Sequence, residues 1–310
     1  MTLPDVSRPK PARAGRRVMT PIPRPRAIFL LAVVLGLGLS FSIGCGSGPA
    51  GERLSVMTCN LGNSGEPIPT TERVSAIIQA AGPPDVLLLQ DAPWKIQFED
   101  LARILGYPHL ISGRHLKPPC HLAILSRQPL SQVELLTFPS ERERSAAVCA
   151  TLPLGDREVR VCTVHLQSVS WLLRQGGSRG NALSILYAEL FRETPRSQAI
   201  DDLLEWLNIH RFDWTIIGGD FNTFFPSRGI RAMDRRFDDA LWPSWDFFEG
   251  TYRKLKFPLK PRIDFLFHTE NMKVREARVI RHTAGDHYPV RAVFILPPEA
   301  SSPKGKAGRG

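Results

Sequence analysis

The chain has 310 residues, of which 43% are hydrophobic and 23% charged, and this ordinary globular composition excludes a wholly disordered protein. Its formal net charge of +10 invites comparison with nucleic-acid-binding proteins, but the charge is unevenly distributed. Seven Lys or Arg residues lie in 1–45 and three in 301–310, which leaves the body of the chain nearly neutral. Global charge therefore gives no evidence for a polyanionic partner, and such an argument must rest on particular segments.

The N-terminal region is typical of an exported protein. Residues 1–26 are basic, and residues 27–45 contain an uncharged apolar run that suits a signal sequence or a single membrane anchor. The run ends at Gly44-Cys45-Gly46-Ser47, which is similar to a bacterial lipoprotein signal, although that signal prefers an aliphatic residue where this chain has Ser42. Three outcomes stay open: a lipidated Cys45, an uncleaved anchor, or a cleaved secretory signal. Each predicts an extracytoplasmic body, either membrane-associated or secreted.

The predicted elements of the first half of the body are helices over 70–81 and 95–105, strands over 54–60, 85–90, 108–112, 121–126 and 131–138, and a hairpin over 146–165. Thr70 is a candidate N-cap, and the apolar residues after it recur at helical spacing until Gly82-Pro83-Pro84 ends the helix. The continuous apolar run over 85–90 predicts a strand that is buried on both faces. In the helix over 95–105 we expect Phe98, Leu101, Ile104 and Leu105 to face inward.

Four cysteines follow Cys45, and their spacing matches no metal-binding motif. A two-residue loop at Gly155-Asp156 would place Cys149 opposite Cys162 in the hairpin, so an exported chain could oxidise this pair. Cysteine is nevertheless among the most buried residue types. Buried, unpaired thiols are therefore the expectation that the sequence favours.

The predicted elements of the second half are two helices within 166–212 and strands over 214–217, 263–267, 274–281 and 290–296. Trp171-Leu172-Leu173 is predicted to form a surface helix turn, with contact to a lipid surface or substrate as the alternative. The chain after Asn222 is predicted to be irregular as far as Phe248. With 46–53 as a linker and 297–310 as a solvated tail, residues 54–296 form one predicted domain.

Polar side chains stand where successive apolar runs stop; they are Asn60, Asp91, His165, Asp220, Asn222, Asp286 and His287. If these strand ends meet at one edge of the sheets, they form a pocket of carboxylates, imidazoles and carboxamides. Such a set suits hydrolysis of a phosphate ester, because a cation can neutralise the phosphate, a carboxylate can accept a proton from water, and imidazoles can donate to oxygens. The oxygen donors predict Mg²⁺, with Mn²⁺ as a substitute.

Seven short motifs resemble those of the endonuclease/exonuclease/phosphatase superfamily, which has the deoxyribonuclease-I-like fold. They are Cys59-Asn60-Leu61, Asp85-Val86-Leu87-Leu88-Leu89-Gln90-Asp91, Ala123-Ile124-Leu125-Ser126-Arg127, Thr163-Val164-His165-Leu166, Gly219-Asp220-Phe221-Asn222, Arg262-Ile263-Asp264-Phe265-Leu266 and Gly285-Asp286-His287-Tyr288-Pro289-Val290. Their order and approximate spacing also match over 54–296. The resemblance implies an α/β protein with a two-sheet β-sandwich core flanked by helices in four layers.

The same resemblance implies that Asn60, Asp91 and Asp286 are the metal ligands. Two positions depart from the family pattern. Asp91 stands where the family normally has Glu, so its carboxylate reaches about 1.5 Å less far, roughly one bond length. Gly285 stands where the family often has Ser, which removes a hydroxyl but no ligand. A family fold retained without catalysis remains an alternative.

The resemblance also implies five catalytic residues. Asp220 would align or deprotonate the attacking water, and Asn222 would position the phosphate or the nucleophile. His287 would be oriented by Asp264, and His165 would be the second imidazole that faces the phosphate. A buried carboxylate beside His287 fixes the tautomer of the ring and favours its charged form.

A loop ahead of the strand over 263–267 carries the predicted substrate-binding cations, which are Arg253, Lys254, Lys256, Lys260 and Arg262. Together with two aromatic residues they suit a polyanion, although a solvated loop would look the same. We therefore expect a monomeric, exported, divalent-metal-dependent phosphodiesterase acting on nucleic acid. The alternatives are a phosphoesterase for phospholipid, sphingomyelin or inositol phosphate, and a non-catalytic module that binds a phosphate ligand.

Overall fold

The computed structural model describes residues 51–62, 69–139, 145–168, 182–242, 244, 246, 249–254 and 261–298. The apolar run within 27–45, Cys45 and the Trp171-Leu172-Leu173 segment lie outside the described residues, and so do the linker as far as residue 50 and most of the tail. Across the described ranges, no helix is both long and apolar enough to cross a membrane.

The strands form two six-stranded sheets. They are β1 (Glu52–Asn60), β2 (Val86–Gln90), β3 (His109–Ser112), β4 (Ala123–Ser126), β5 (Ser131–Thr137), β6 (Ala146–Leu154), β7 (Arg157–His165), β8 (Trp214–Asp220), β9 (Asp238–Asp239), β10 (Asp264–His268), β11 (Lys273–Val279) and β12 (Val290–Leu296). The strand order is β11-β12-β1-β2-β4-β3 in the first sheet and β5-β6-β7-β8-β10-β9 in the second. The predicted strands are confirmed, with differences of a few residues at their ends.

Each sheet has one parallel pair at its centre. In the first sheet β1 runs parallel to β2, and Asn60 is opposite Gln90. In the second sheet β7 runs parallel to β8, and His165 is opposite Asp220. Because parallel strands end at the same edge of a sheet, these pairings bring the polar residues that follow the apolar runs to shared edges.

The helices are α1 (Thr71–Ala81), α2 (Phe98–Leu105), α3 (Ala182–Phe191), α4 (Pro195–Ile209) and α5 (Arg228–Asp234) in the described ranges. Thr70 is the predicted N-cap of α1, and its hydroxyl accepts a hydrogen bond from Arg73 N at 3.3 Å. Ile104 on α2 does not face inward as predicted but is 37% exposed. Phe98, Leu101 and Ala102 already fill the inner face of this short helix together with Leu105.

The segment after Asn222 is not irregular throughout, as predicted, because it contains α5 and the two-residue strand β9. Ser227 caps α5 by accepting a hydrogen bond from Ile230 N. A helix of seven residues completes barely two turns, so its sequence is too short to show a helical period.

Three apolar clusters fill the spaces between four layers. The central cluster contains residues of both sheets, for example Val56 of β1 and Val161 of β7. A second cluster lies between the outer face of the second sheet and α4 and α5, and a third between the first sheet and α1 and α2. Strands buried on both faces explain why β2 and β8 are continuous apolar runs. The two-sheet sandwich with flanking helices is therefore the observed architecture.

Cys149 and Cys162 form a disulfide, so the favoured expectation of unpaired thiols is wrong for this pair. Their α-carbons are paired across β6 and β7 and lie 4.1 Å apart. The sequence places them opposite one another but cannot report their oxidation state. Cys59 and Cys120 are buried free thiols, as expected.

We expect reduction of this disulfide, or the pair of substitutions Cys149→Ala and Cys162→Ala, to lower the free energy of unfolding by about 2–3 kcal/mol, because the reduced unfolded chain gains loop entropy. Urea denaturation with and without a reductant measures the difference. Cys120→Ala is the control for loss of a buried thiol, and because it keeps the disulfide it should respond to the reductant as wild type does, whereas the double alanine variant should not respond. A wild-type midpoint that does not change on reduction would contradict the prediction.

Candidate active site

The strand-end residues converge at one edge of the two sheets. Asp220, at the end of β8, is flanked in register by His165 of β7 and Asp264 of β10. Asn60, at the end of β1 in the other sheet, donates a hydrogen bond across to Asp220 at 2.8 Å. The site is therefore formed where both sheets end.

Asp220 is the centre of the site and is buried. Its Oδ2 accepts hydrogen bonds from the side-chain amides of Asn60 at 2.8 Å and Asn222 at 3.0 Å. Its Oδ1 accepts from the backbone N–H of Asn222 at 2.8 Å. Three donors thus fix both oxygens of one carboxylate, which is the orientation that a general base requires.

Two imidazoles flank the same carboxylate oxygen. The Nε2 atoms of His165 and His287 each lie 3.8 Å from Asp220 Oδ2. His287 Nδ1 lies 2.9 Å from Asp264 Oδ2, so the predicted orienting contact is present. Asp264 Oδ1 is buried and has no hydrogen-bond partner within the described structure, which leaves the negative charge of this carboxylate directed mainly at His287.

Burial and neighbouring charges shift the pKa values of all three groups. Burial raises the pKa of Asp220 to about 7, even though the nearby His287 opposes the shift. Burial alone would lower the pKa of His287, but the carboxylates of Asp264 and Asp220 outweigh it and raise the pKa to about 9. Burial lowers the pKa of His165, and Asp91 opposes this effect. At neutral pH the site therefore holds one charged and one neutral imidazole around a carboxylate that titrates near neutrality.

Gly62 lies beside the predicted metal ligands: Asn60 and Asp91 face it with side-chain oxygens, and Asp286 contacts it through its backbone. Gly62 N donates to Asn60 Oδ1 at 2.7 Å, and Gly62 O accepts from the backbone N–H of Asp286 at 3.4 Å. A β-carbon at Gly62 would lie 2.5 Å from Asp91 Oδ2 and 2.9 Å from Asn60 Oδ1. Two oxygen donors therefore converge on a space that only glycine leaves open, and the all-oxygen donor set suits a hard cation such as Mg²⁺.

A second cluster with potential ligand atoms consists of Asp220, Asp264 and His287, whose donor atoms lie within 4.8 Å of one another. The His287 ring is held between the two carboxylates and its pKa is raised, so its Nε2 carries a proton at neutral pH. A protonated imidazole repels a cation and offers no lone pair. We therefore assign this cluster to proton transfer and the residues around Gly62 to the metal.

Asp91 and Asn222 both adopt left-handed backbone conformations, with φ values of 45° and 48°. Non-glycine residues seldom adopt this conformation, and Asp and Asn are the types most enriched there. This accounts for Asp rather than Glu directly after β2, because Asp adopts a positive φ more readily than Glu. Gly285 is likewise fitted to its position, since a β-carbon there would lie 2.4 Å from Gly62 O.

The predicted substrate-binding cations separate into three groups. Lys254 Nζ lies 3.6 Å from Asp286 Oδ2, and Arg253 donates to Gly285 O at 3.2 Å, so both are beside the site. Arg262 is buried, 7% exposed, and forms a two-pronged ion pair with Asp239, so its prediction as a substrate contact is wrong. Lys256 and Lys260 lie outside the described residues. The sequence alone does not distinguish a surface cation from a buried cation whose acidic partner is distant along the chain, as Asp239 is from Arg262.

Two positions beside the site were missed by sequence reasoning. Gly62 was not selected, although its place two residues after Asn60 at a strand end was an available signal. Gln90 lies between the sheets and donates to Thr58 Oγ1 of β1 at 2.9 Å and Thr163 Oγ1 of β7 at 2.8 Å. It thereby fixes the distance between the two strand ends that carry Asn60 and His165.

We expect Gly62→Ala to weaken Mg²⁺ binding by about 10- to 100-fold, since the added methyl would displace Asp91 or Asn60 from the space that both face. Isothermal titration of the purified protein with Mg²⁺ measures the affinity directly. Gly106→Ala is the control for a destabilising glycine substitution away from the site, because its φ of 70° strains alanine while a β-carbon there meets nothing within 4 Å, and its Mg²⁺ affinity should equal that of wild type. Equal affinities of wild-type and Gly62→Ala protein would exclude the metal from this space.

The Endonuclease/Exonuclease/phosphatase family matches residues 57–287 of the chain. No curated protein sequence matches it significantly. Among solved structures it is similar to an endonuclease/exonuclease/phosphatase from Beutenbergia cavernae, with a TM-score of 0.59 and 19% identity over 79% of this chain and 72% of that one.

Two further solved structures share the fold. The D. rerio TDP2 complex with single strand DNA product has a TM-score of 0.57 and 14% identity, covering 78% of this chain and 98% of that one. The human Nocturnin catalytic domain with bound sulfate anion has a TM-score of 0.54 and 19% identity, covering 78% of this chain and 93% of that one. Because the matched residues 57–287 make up most of the chain and include every strand-end residue of the site, the chain belongs to the endonuclease/exonuclease/phosphatase family of phosphoester hydrolases.

Proposed function

We propose that this protein is an exported, Mg²⁺-dependent phosphodiesterase that cleaves nucleic acid. The observation that carries the proposal is the environment of Asp220, whose carboxylate is fixed by Asn60 and Asn222 and flanked by the imidazoles of His165 and His287. The arrangement supports the proposal because it combines a fixed carboxylate that can act as a base with a charged imidazole, His287, that can donate to a phosphoryl oxygen.

In the proposed reaction Asp220 aligns a water molecule and takes its proton as the water oxygen bonds to phosphorus and the bond from phosphorus to the leaving ester oxygen breaks. The leaving oxygen takes up a proton from solvent. A base whose pKa is near neutrality both accepts and releases the proton at physiological pH. His287, charged because Asp264 supports it, donates a hydrogen bond to a phosphoryl oxygen on which negative charge develops. Asn222 keeps the carboxylate and the neighbouring backbone in position.

The metal chemistry belongs to an adjoining part of the site. When bound, Mg²⁺ neutralises phosphate charge, and Asn60, Asp91 and Asp286 are the residues that would hold it. Asp91 and Asn60 direct oxygens at the space beside Gly62, while His165 and His287 lie on either side of Asp220. Cation binding and proton transfer therefore meet at Asn60, whose Oδ1 faces the space beside Gly62 and whose Nδ2 donates to Asp220.

Nucleic acid is the favoured substrate class because cations border the site. Arg253 contacts Gly285 O, and Lys254 lies 3.6 Å from Asp286, which is where the charged backbone of a bound strand would pass. The TDP2 structure with a single strand DNA product shows a nucleic-acid ligand on a similar fold. Phospholipid headgroups and inositol phosphates are the alternative phosphoesters.

Export is supported by two independent features. The apolar run behind a basic segment within 1–45 is typical of a signal or anchor sequence. The disulfide between Cys149 and Cys162 is of a kind that persists in oxidising compartments. We propose that the domain functions outside the cytoplasm, held at the membrane through lipidated Cys45 or an N-terminal anchor.

The test uses residues 48–310, which form one compact unit, on plasmid DNA, RNA, sphingomyelin and inositol phosphates. We expect Mg²⁺-dependent cleavage of DNA or RNA that EDTA abolishes. Turnover of the lipid or inositol substrates alone would overturn the nuclease assignment. Binding of a phosphoester without hydrolysis of any would instead support a non-catalytic module.

A further inference from the structure

Helix α3 buries its acidic residue and exposes its aromatic ones. Glu189 is only 3% exposed, whereas Tyr187 and Phe191 on the same helix are 52% and 66% exposed. The Glu189 carboxylate forms an ion pair with Arg196, which belongs to the first turn of α4 and is 2% exposed. A fully buried ion pair thus joins the two helices that follow His165 in the chain.

The remaining polar atoms of this pair reach two segments of the active site. Arg196 donates to the backbone carbonyl of Gln167 at 3.2 Å, two residues after His165. Glu189 Oε2 accepts a hydrogen bond from the hydroxyl of Thr223 at 2.6 Å, directly after Asn222. The ion pair therefore connects the segment that carries His165 to the segment that carries Asp220 and Asn222.

The same two segments also contact each other directly. Leu166 N donates to Asp220 O at 3.0 Å, and Asn222 Nδ2 donates to Leu166 O at 2.8 Å. Together with the path from Gln167 through Arg196 and Glu189 to Thr223, these bonds close a ring of hydrogen bonds around the two strand ends. A closed ring restricts the relative movement of His165 and Asp220 more than either path alone.

Burial of an ion pair is a poor way to stabilise a fold, because the loss of hydration offsets the attraction. We propose that Glu189 and Arg196 are positioning residues that hold His165 and Asn222 in register with Asp220. This inference rests on the proposed function, since it concerns the geometry of the same catalytic site. It assigns no contact with substrate to either residue.

Thr223→Val tests the inference at the point where the ring can be opened with least disturbance. The substitution keeps the shape of the buried side chain and removes only the hydroxyl that contacts Glu189. We expect kcat on the preferred phosphoester to fall about 10- to 100-fold with KM changed less than about twofold, because misplaced catalytic groups slow the reaction without weakening ground-state binding. Thr223→Ser retains the hydroxyl and should restore most of the activity.

Thr215→Val is the matched control. Thr215 is also buried, but it lies in β8 at the end far from the active site. There its hydroxyl donates to Phe212 O at 3.5 Å. We expect this variant to keep kcat within about twofold of wild type with a similar change in melting temperature. Equal losses of kcat in both valine variants would assign the effect to general destabilisation and overturn the inference.

Amide hydrogen exchange provides a readout that does not need activity. The backbone N–H of Leu166 donates to Asp220 O within the ring, and that of Asn222 donates to Asp220 Oδ1 beside it, so in Thr223→Val we expect exchange of both to accelerate about tenfold or more while core amides are unchanged. Unchanged exchange at both positions would overturn the positioning role. If wild-type protein hydrolyses no phosphoester but exchange responds as described, the proposed function fails while the structural role of the ring stands.

A second variant covers the case in which Thr223→Val does not fold. Glu189→Leu combined with Arg196→Met removes both charges and keeps an apolar volume, a change that buried ion pairs tolerate well. We expect this protein to fold with a melting temperature near that of wild type and with kcat reduced at least tenfold. Full activity of the folded double variant would contradict the inference.

Discussion

Asp220→Asn is expected to reduce kcat by about 10²- to 10⁴-fold, the range that a general base contributes. The amide keeps the size of the side chain and its place between Asn60 and His165 but accepts no proton. The carboxylate has two acceptor oxygens and the amide has only one, so the amide cannot accept all three hydrogen bonds from Asn60 and Asn222. Steady-state kinetics on the preferred substrate at saturating Mg²⁺ measures the loss.

The same substitution separates catalysis from stability. Burial raises the pKa of Asp220 to about 7, so at pH 8 the folded protein bears a cost for ionising this group that the unfolded chain does not bear. The neutral amide removes that cost, but its NH2 group faces a buried N–H whose hydrogen bond the carboxylate accepted, and we expect these opposing effects to leave the melting temperature at pH 8 close to that of wild type. Asp100→Asn on the exposed surface of α2 is the matched control and should retain full activity. More than a tenth of wild-type kcat in Asp220→Asn would exclude Asp220 as the base.

Strand ends could be located from the sequence because apolar runs stop abruptly there. The run before Asp220 and the one before Asp91 are continuous, as expected for strands covered on both faces, and each ends in a polar residue. Pairing two such strands in parallel brings their ends together, as β7 and β8 do for His165. The apolar runs therefore located the strand ends, whereas their convergence was a conditional expectation that rested on the family resemblance and on strand pairings seen only in the structure.

Features set by three-dimensional packing could not be predicted in this way. The left-handed conformation of Asp91 depends on the turn that follows β2. The need for glycine at position 62 comes from two side-chain oxygens, of Asn60 and Asp91, that face it from the ends of different strands. Arg262 looks like a surface cation until Asp239 is placed beside it. Each case involves a partner that is distant in sequence, and local patterns carry no information about such partners.

The buried ion pairs show that the position of a cation in the sequence does not reveal whether it can contact substrate. Of the cations predicted to contact substrate, Arg262 instead neutralises Asp239 inside the second sheet. Arg196, which no motif singled out, donates to the backbone carbonyl of Gln167, two residues after His165. The identity of its acidic partner therefore says more about the role of a cation than its distance in sequence from the site does.

Asp264→Asn is expected to reduce kcat by about 10²-fold through His287 rather than through contact with substrate. Asp264 Oδ2 lies 2.9 Å from His287 Nδ1, and its carboxylate is the main cause that raises the pKa of His287 against burial. Loss of that charge lets the pKa of the imidazole fall, so less of it is protonated to donate to the phosphate. Kinetics of the single variants Asp264→Asn and His287→Ala gives the two individual losses.

A double-mutant cycle decides whether the two residues act as one unit. If Asp264 works only by charging and orienting His287, then Asp264→Asn introduced into His287→Ala should change kcat less than about twofold. The coupling would then equal the single effect of Asp264→Asn, about 2.7 kcal/mol for a 10²-fold loss. Additive losses would contradict this assignment, because they would mean that Asp264 acts on the reaction without the ring. In that event Asp264 Oδ1, which is buried without a hydrogen-bond partner among the described residues, would be the atom to examine.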